Sequence, residues 1–575
     1  MPNRQIFIRE TWPLAVSALA LAALLASSCA KQEPAAEKKA EEPAPPPAPN
    51  KPEPSPQAAY RMADKSERGG NLKIDVIAGY DAGMAAVMPP PVNTEKYPGG
   101  KSNPVKVTAQ EPVSTFSIDV DTASYGVVRR YLSQGSLPPR DAVRVEEMVN
   151  YFDYGYQLPP SREQPFATTV QVYPTPWNKD TLLMHVGIKG YDIPHTERPA
   201  ANLVFLIDVS GSMDEPDKLP LVKQSLRLLV GELKADDRVA MVVYAGNAGM
   251  VLEPTSGKDK AKILAALDKL EAGGSTAGGE GIRQAYQLAK ENFAKDKVNR
   301  VILATDGDFN VGIADPKRLE DFVAHERESG IYLTCLGFGG GNYNDVTMQS
   351  LAQAGNGNAA FIDTLNEARK VLVDEMGSTL FPIAKDVKIQ VEFNPQTVAE
   401  YRLIGYETRL LDRTDFNNDK VDAGDIGAGH AVTALYEVTP KGSAAQLSDP
   451  LRYGAAEPSV KGEELAFLKI RYKLPEGTVS KLIERPIGMK ERLAHFEDAP
   501  EDSRFAAAVA GVAQLLKGDT HMGKTSLADL RAIAQDAKGR DPFGYRAEFV
   551  TLVRSAETAP PLPPLEMSGG PGRMQ

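Results

Sequence analysis

Runs of apolar residues punctuate the middle of the chain at Asn202–Ile207, Arg238–Tyr244, Arg300–Ala304 and Ile331–Leu336. Each is too short for a buried helix and almost free of polar interruptions, as expected of strands covered on both faces. Between them, Leu219, Val222, Leu226, Leu229, Val230 and Leu233 recur at helical spacing, as do Ile263, Leu264, Leu267 and Leu270. Strand and helix in alternation predict an α/β fold over 201–382, a doubly wound and mostly parallel sheet with helices on both faces. The flanks follow a different period. Residues 111–200 read as a small α+β region with a strand at 115–120, helices near 123–134 and 143–151, and strands near 168–174 and 181–189. Residues 383–558 open with alternating strand patterns over 384–475, a β-rich domain. They end in helices, the first marked by Phe505, Ala508, Val509, Val512, Leu515 and Leu516.

In open α/β sheets ligands bind beyond the carboxyl ends of the strands. Here the first central strand runs into Asp208-Val-Ser210-Gly-Ser212-Met, and the third into Thr305-Asp306-Gly-Asp308. A glycine-rich loop between them, Gly273-Gly-Ser-Thr276-Ala-Gly-Gly-Glu280, opens a helix. A parallel sheet brings all of these segments to one edge. Hydroxyls and carboxylates without His or Cys suit a hard cation, Mg²⁺ or Mn²⁺, with Ca²⁺ as a further option. The alternative is that Ser210 and Ser212 cap the following helix and the aspartates sit in turns.

The ends of the chain predict a location. Arg4 and Arg9 precede an apolar run from Trp12 to Ala26, which is shorter than the roughly twenty residues of a membrane helix. Residues 1–28 therefore read as a signal peptide. Leu24-Leu-Ala26-Ser-Ser-Cys29-Ala resembles a bacterial lipoprotein box, with Ala26 where that pattern favours Leu. The resemblance implies lipidation of Cys29; ordinary cleavage nearby is the alternative. Residues 31–60 hold nine prolines amid Ala, Glu and Lys, so 29–110 is expected to be an extended, disordered linker. The Pro/Gly-rich tail 559–575 is expected to be loose as well. The other cysteine, Cys335, falls inside an apolar run and reads as a buried strand residue.

The order Asp208, Ser210, Ser212, then Thr276, then Asp306 resembles the metal-ion-dependent adhesion site of von Willebrand factor type A domains. That resemblance implies hydroxyl oxygens touching the metal and carboxylates acting largely through water. It also implies an open position for an acidic side chain of a partner. Over about 110–560 the chain is similar to the YfbK-type bacterial von Willebrand factor type A proteins. The similarity rests on Phe116-Ser-Ile-Asp-Val-Asp-Thr-Ala-Ser-Tyr125, Asp208-Val-Ser-Gly-Ser-Met213, Thr305-Asp-Gly-Asp-Phe-Asn310 and the stretch Gly427–Tyr436. It implies architecture and no particular activity.

Composition narrows the partners. Of 575 residues 42% are hydrophobic and 25% charged, with a net charge of −11. Such a chain is globular and too acidic for nucleic acid, whose phosphates need a basic surface. Gly518-Asp-Thr-His-Met-Gly523-Lys524-Thr525 has the letters of a P-loop. It follows a predicted helix instead of a strand, so Gly518 reads as a helix cap and no nucleotide is expected. Asp415-Phe-Asn417-Asn-Asp419-Lys420 begins like a calcium loop but lacks its Gly and final Glu; a solvated turn is expected. Ile118-Asp-Val-Asp121-Thr-Ala123 echoes the metal motif without its hydroxyls, and Asp121 or Thr122 is expected to cap a helix. The six histidines are scattered and form no catalytic signature. These readings describe a non-enzymatic protein, lipid-anchored to a bacterial membrane in the cell envelope, binding protein partners through a divalent cation. A metal-dependent hydrolase and a scaffold with an unused metal site are the alternatives.

Overall fold

Alternate residues of the strand Ala201–Asp208 enter two different cores. Leu203, Phe205 and Ile207 face one, and Val204 and Leu206 face the other. That two-sided burial is why the run is continuously apolar. The structure is a computed structural model describing residues 93–194, 196–245, 247–274, 278–307, 315–448, 463–475 and 477–562. The signal segment, Cys29, Thr276, Asp308 and the end of the tail lie outside the described residues.

The central sheet runs in the order Ala359–Ile362, Ile331–Phe338, Val298–Thr305, Ala201–Asp208, Arg238–Ala245, Asn247–Ser256. All neighbours are parallel except the last pair. The helix Leu219–Gly231 buries Leu219, Val222, Leu226 and Leu229 on one face. On the other face Ile282, Ala285 and Tyr286 of Gly278–Glu291 pack with Leu319, Val323, Met348 and Leu351 of Pro316–Arg327 and Asp345–Ala354. This is the expected doubly wound α/β unit. Cys335 is fully buried within it, and burial raises its thiol pKa.

The flanks join each other across this unit. One antiparallel sheet orders Lys106–Val107, Val398–Ile404, Ala431–Pro440, Asn178–Gly190 and Phe166–Thr175. A second orders Ile426–Gly427, Pro382–Phe393, Glu464–Lys473 and Ser480–Gly488, with Val113–Ser117 also paired to Pro382–Phe393. Met184, Val186 and Ile188 of the first sheet share a core with Ile389, Val391 and Leu468 of the second. Tyr173, Leu183 and Leu435, on the opposite face, pack against the helices Glu501–Lys517, Leu527–Asp536 and Tyr545–Thr558. The regions 111–200 and 383–558, separate in sequence, are thus paired strand to strand.

The linker expectation needs correcting at its C-terminal end. Asn103 is buried and donates to the carbonyls of Leu403 and Gly405, and Lys106 and Val107 pair with Tyr401 and Glu400. Residues 93–110 are therefore held in the fold by backbone pairing, which a polar, proline-bearing composition does not reveal.

Candidate metal centre

Asp208 ends a strand whose every residue is buried, so its carboxyl is fixed where the sheet stops. One oxygen accepts from the Ser210 amide at 2.9 Å and the other from the Thr305 hydroxyl at 3.0 Å. Ser210 is extended and starts the short turn Gly211–Asp214, with no side-chain cap. Its hydroxyl is instead 3.1 Å from that of Ser212, and Ser212 in turn hydrogen-bonds Asp306. The glycine loop lies against this turn, Gly211 donating to Gly274 and Gly273 to Val209. Asp208, Ser210, Ser212 and Asp306 are thus brought into one cluster; the remaining expected ligand, Thr276, lies outside the described residues.

Asp306 is fully buried and meets two groups that the sequence reading missed. Its Oδ2 accepts from Lys218 Nζ at 3.0 Å and Asn342 Nδ2 at 2.9 Å, and Lys218 also donates to Asn342 Oδ1. The neighbouring Gly307 has a φ of +88°, and a Cβ there would stand 2.5 Å from the Asn344 amide. Glycine thus lets the two loops touch. Burial alone pushes the Asp306 carboxyl up, but the Asn342 hydrogen bond and the Lys218 charge outweigh it and hold it below the ordinary range. Asp208 goes the other way. Burial raises it, the Ser210 and Thr305 donors pull against that, and Asp306 adds repulsion.

The loop bearing Asn342 is clamped from outside by residues 93–97. Thr94 donates to the Gly341 carbonyl, Lys96 to that of Tyr343, and Asp345 to that of Lys96. Glu95 accepts from the Gly341 amide at 2.7 Å and pairs with Arg130 at 2.7 Å, with Tyr97 and Tyr131 donating to it. In the turn and just after it, Ser212, Asp214, Glu215 and Asp217 are exposed, so the mouth is open to water and acidic, which concentrates cations.

The donor set of hydroxyl and carboxylate oxygens fits a hard divalent cation. Neighbouring oxygens of an octahedral Mg²⁺ shell, with bonds of about 2.1 Å, are about 3 Å apart. The serine hydroxyls, 3.1 Å apart, are close enough to share one such ion. Among the described residues there is no group of three or more His, Cys, Asp and Glu placed for a metal, so hydroxyls must supply part of any shell here.

The other motifs resolve into structure. Gly518 has a φ of +84° and caps the helix Glu501–Lys517, and Ser526 caps the next helix in a reciprocal pair with Asp529. The P-loop letters therefore join two helices, as expected. In the calcium-like loop Lys388 Nζ takes the carbonyls of Asp415 and Asn418, while Arg471 pairs with Asp419 and Arg327 with Asp422. Protein cations thus occupy its oxygens. The capping expectation for Asp121 and Thr122 is corrected: Thr122 makes no side-chain cap. Asp121 instead accepts from the Ala359 amide and, with Asp119, binds Arg409. A buried guanidinium out-competes a helix end for a carboxylate.

Comparison with known proteins identifies the domains. The family model described as von Willebrand factor type A domain matches residues 202–374, one described as von Willebrand factor matches 91–185, and "Uncharacterized protein YfbK, C-terminal" matches 378–559. The central unit is a von Willebrand factor type A domain, a class that generally mediates protein–protein interaction and commonly binds a divalent metal at this edge. YfbK of Escherichia coli (strain K12) is 50% identical over 474 residues, 81% of either chain, and the chain belongs to the YfbK family. Inter-alpha-trypsin inhibitor heavy chain H3 of Pongo abelii is 25% identical over 259 residues, 42% of this chain and 29% of that one. A solved von Willebrand factor type A protein from Catenulispora acidiphila covers 70% of this chain and 91% of its own, at 18% identity and a TM-score of 0.39.

Proposed function

We propose that this protein is a lipid-anchored component of a bacterial cell envelope, without enzymatic activity of its own. In this reading it binds partner proteins through a divalent cation held by Asp208, Ser210, Ser212, Thr276 and Asp306. The observation that carries this reading is the pair of serine hydroxyls, 3.1 Å apart, set between two buried carboxylates at the carboxyl edge of a parallel sheet. Ser210 and Ser212 offer the cation neutral oxygens, while Asp208 and Asp306 orient the surrounding hydrogen bonds. When bound, the cation supplies an electrophilic position that takes a carboxylate of the partner. Mg²⁺ is the favoured ion and Mn²⁺ its natural substitute.

A cation that binds only the folded state stabilises it by about 1.4 kcal/mol at ten times its Kd. For a domain of this size that corresponds to roughly 2–4 °C in Tm. Mg²⁺ or Mn²⁺ should raise the transition of the central domain by that order, and EDTA should reverse it. Asp208→Ala should abolish the response while leaving the fold intact, since Asp208 stands at a strand end. A wild-type protein indifferent to every divalent cation up to millimolar levels would remove the basis of this reading.

A further inference from the structure

Lys218 does something unusual for a lysine. It comes from a polar stretch between the Ser212 turn and the helix Leu219–Gly231, yet its side chain is only 7% exposed. Its stem runs over Gly339, where a Cβ would come within 2.5 Å of Lys218 Cγ. Its ammonium ends on Asp306 Oδ2, with Asn342 Oδ1 as second acceptor. Burying an ammonium is costly unless it is paired, and the partner here is one of the two carboxylates of the candidate metal centre.

We propose that Lys218 sets the charge balance of the metal centre, weakening its hold on the cation so that the bound cation keeps its attraction for an outside carboxylate. The inference rests on the cation-binding reading above. Two carboxylates would cancel the charge of a divalent ion and leave little pull on an acidic ligand. With one of them neutralised by Lys218, the loaded site keeps a net charge of about one, and an acidic group is attracted across the acidic mouth formed by Asp214, Glu215 and Asp217. When no metal is bound, the same ammonium keeps Asp306 from being a buried, uncompensated charge.

The two functions predict opposite shifts from one substitution. Lys218→Met keeps the stem and removes the charge; Lys218→Arg keeps the charge. The test is titration of the full-length protein with Mn²⁺ alone, followed by acetate titration of the Mn²⁺-loaded protein read as loss of water-proton relaxation enhancement. Lys218→Met should bind Mn²⁺ at least tenfold more tightly than wild type and require several-fold more acetate. It should also melt below wild type in EDTA yet gain more from Mn²⁺. Lys218→Arg should stay within about threefold of wild type in both titrations. Equal or weaker Mn²⁺ binding by Lys218→Met, beside a wild type that does bind, would overturn the role of Lys218 and leave the metal centre standing. Tighter binding by Lys218→Arg as well would assign the effect to shape and overturn it too. Failure of wild type itself to bind Mn²⁺ would take both readings down together. If Lys218→Met does not fold, Lys218→Gln keeps a hydrogen-bond donor without the charge and should shift Mn²⁺ affinity in the same direction; no shift there counts against the proposal.

Discussion

Glu146 offers a stability test that needs no ligand. It lies on the short helix Val145–Asn150, is 1% exposed, and neither carboxyl oxygen has a hydrogen-bond partner among the described residues. Gly405 is pressed against it, so that a Cβ there would come within 2.8 Å of Glu146 Oε2. Burial, with Glu407 and Asp119 adding repulsion, pushes its pKa from 4.5 up to about 8; the charge of Lys517, which acts against this, already pairs with Glu407 at 3.0 Å. A folded-state pKa above the unfolded one means that the folded protein holds the proton more tightly. Its stabilising effect is complete below about pH 4.5 and is lost as pH rises through 8. Each pH unit in that window costs about 1.4 kcal/mol, so wild type should forgo on the order of 3 kcal/mol by pH 7. Glu146→Gln removes the titration. An amide there has a similar unmet need for hydrogen bonds, which adds an offset without pH dependence. Urea unfolding of both proteins from pH 5 to 9 can be followed through Trp177, which is buried in the same apolar cluster as Val145 and Val149. The variant's advantage should grow with pH and level off above 8. A difference that stays flat across the range would show that Glu146 ionises freely in the folded protein, and the reasoning from its burial would fail.

Two further outcomes test other parts of the molecule. Cys29→Ser should move the protein from the membrane fraction to the soluble fraction, since the run Trp12–Ala26 is too short to span; detergent-dependent membrane association that survives the change would sink the lipid anchor. Glu95→Ala should cost about 3 kcal/mol by leaving Arg130 unpaired in a largely buried setting. It should also blunt the thermal response to Mg²⁺ by freeing the Asn342 loop, and an undiminished response would show that the clamp and the site are independent.

The legible parts of this fold are those decided by neighbours in sequence. Ala201–Asp208 reads as a central strand because two cores cover it, and the helix Leu219–Gly231 reads as a helix because one stripe is buried. The edge strand Asn247–Ser256 was missed; it follows Arg238–Ala245 almost without a loop, and both Met250 and Val251 are exposed. Its period is blurred, as an edge strand's pattern often is. Pairing was less legible than the strands themselves. The strands Phe166–Thr175 and Asn178–Gly190 lie close to where their apolar content predicts them, but nothing in that content says that they pair with each other or that the next neighbour is Ala431–Pro440.

The candidate site divides along the same line. Asp208, Ser210 and Ser212 stand within five residues and Asp306 at a strand end, where the topology of a parallel sheet directs attention. Lys218 and Asn342 were invisible because their identity as site residues depends on Asp306, which is 88 positions after one and 36 before the other. A lysine in a polar stretch reads as a solvated charge until its partner is known. One signal was available for Asn342: it follows Ile331–Phe338 at the same carboxyl edge as the metal motif. The strap 93–97 was hidden more deeply, in a segment whose composition suggests linker. All of these unforeseen groups converge directly or through one contact on Asp306, the carboxylate that the fold would otherwise leave buried and uncompensated. Local motifs place the oxygens of the centre, whereas long-range contacts set its charge.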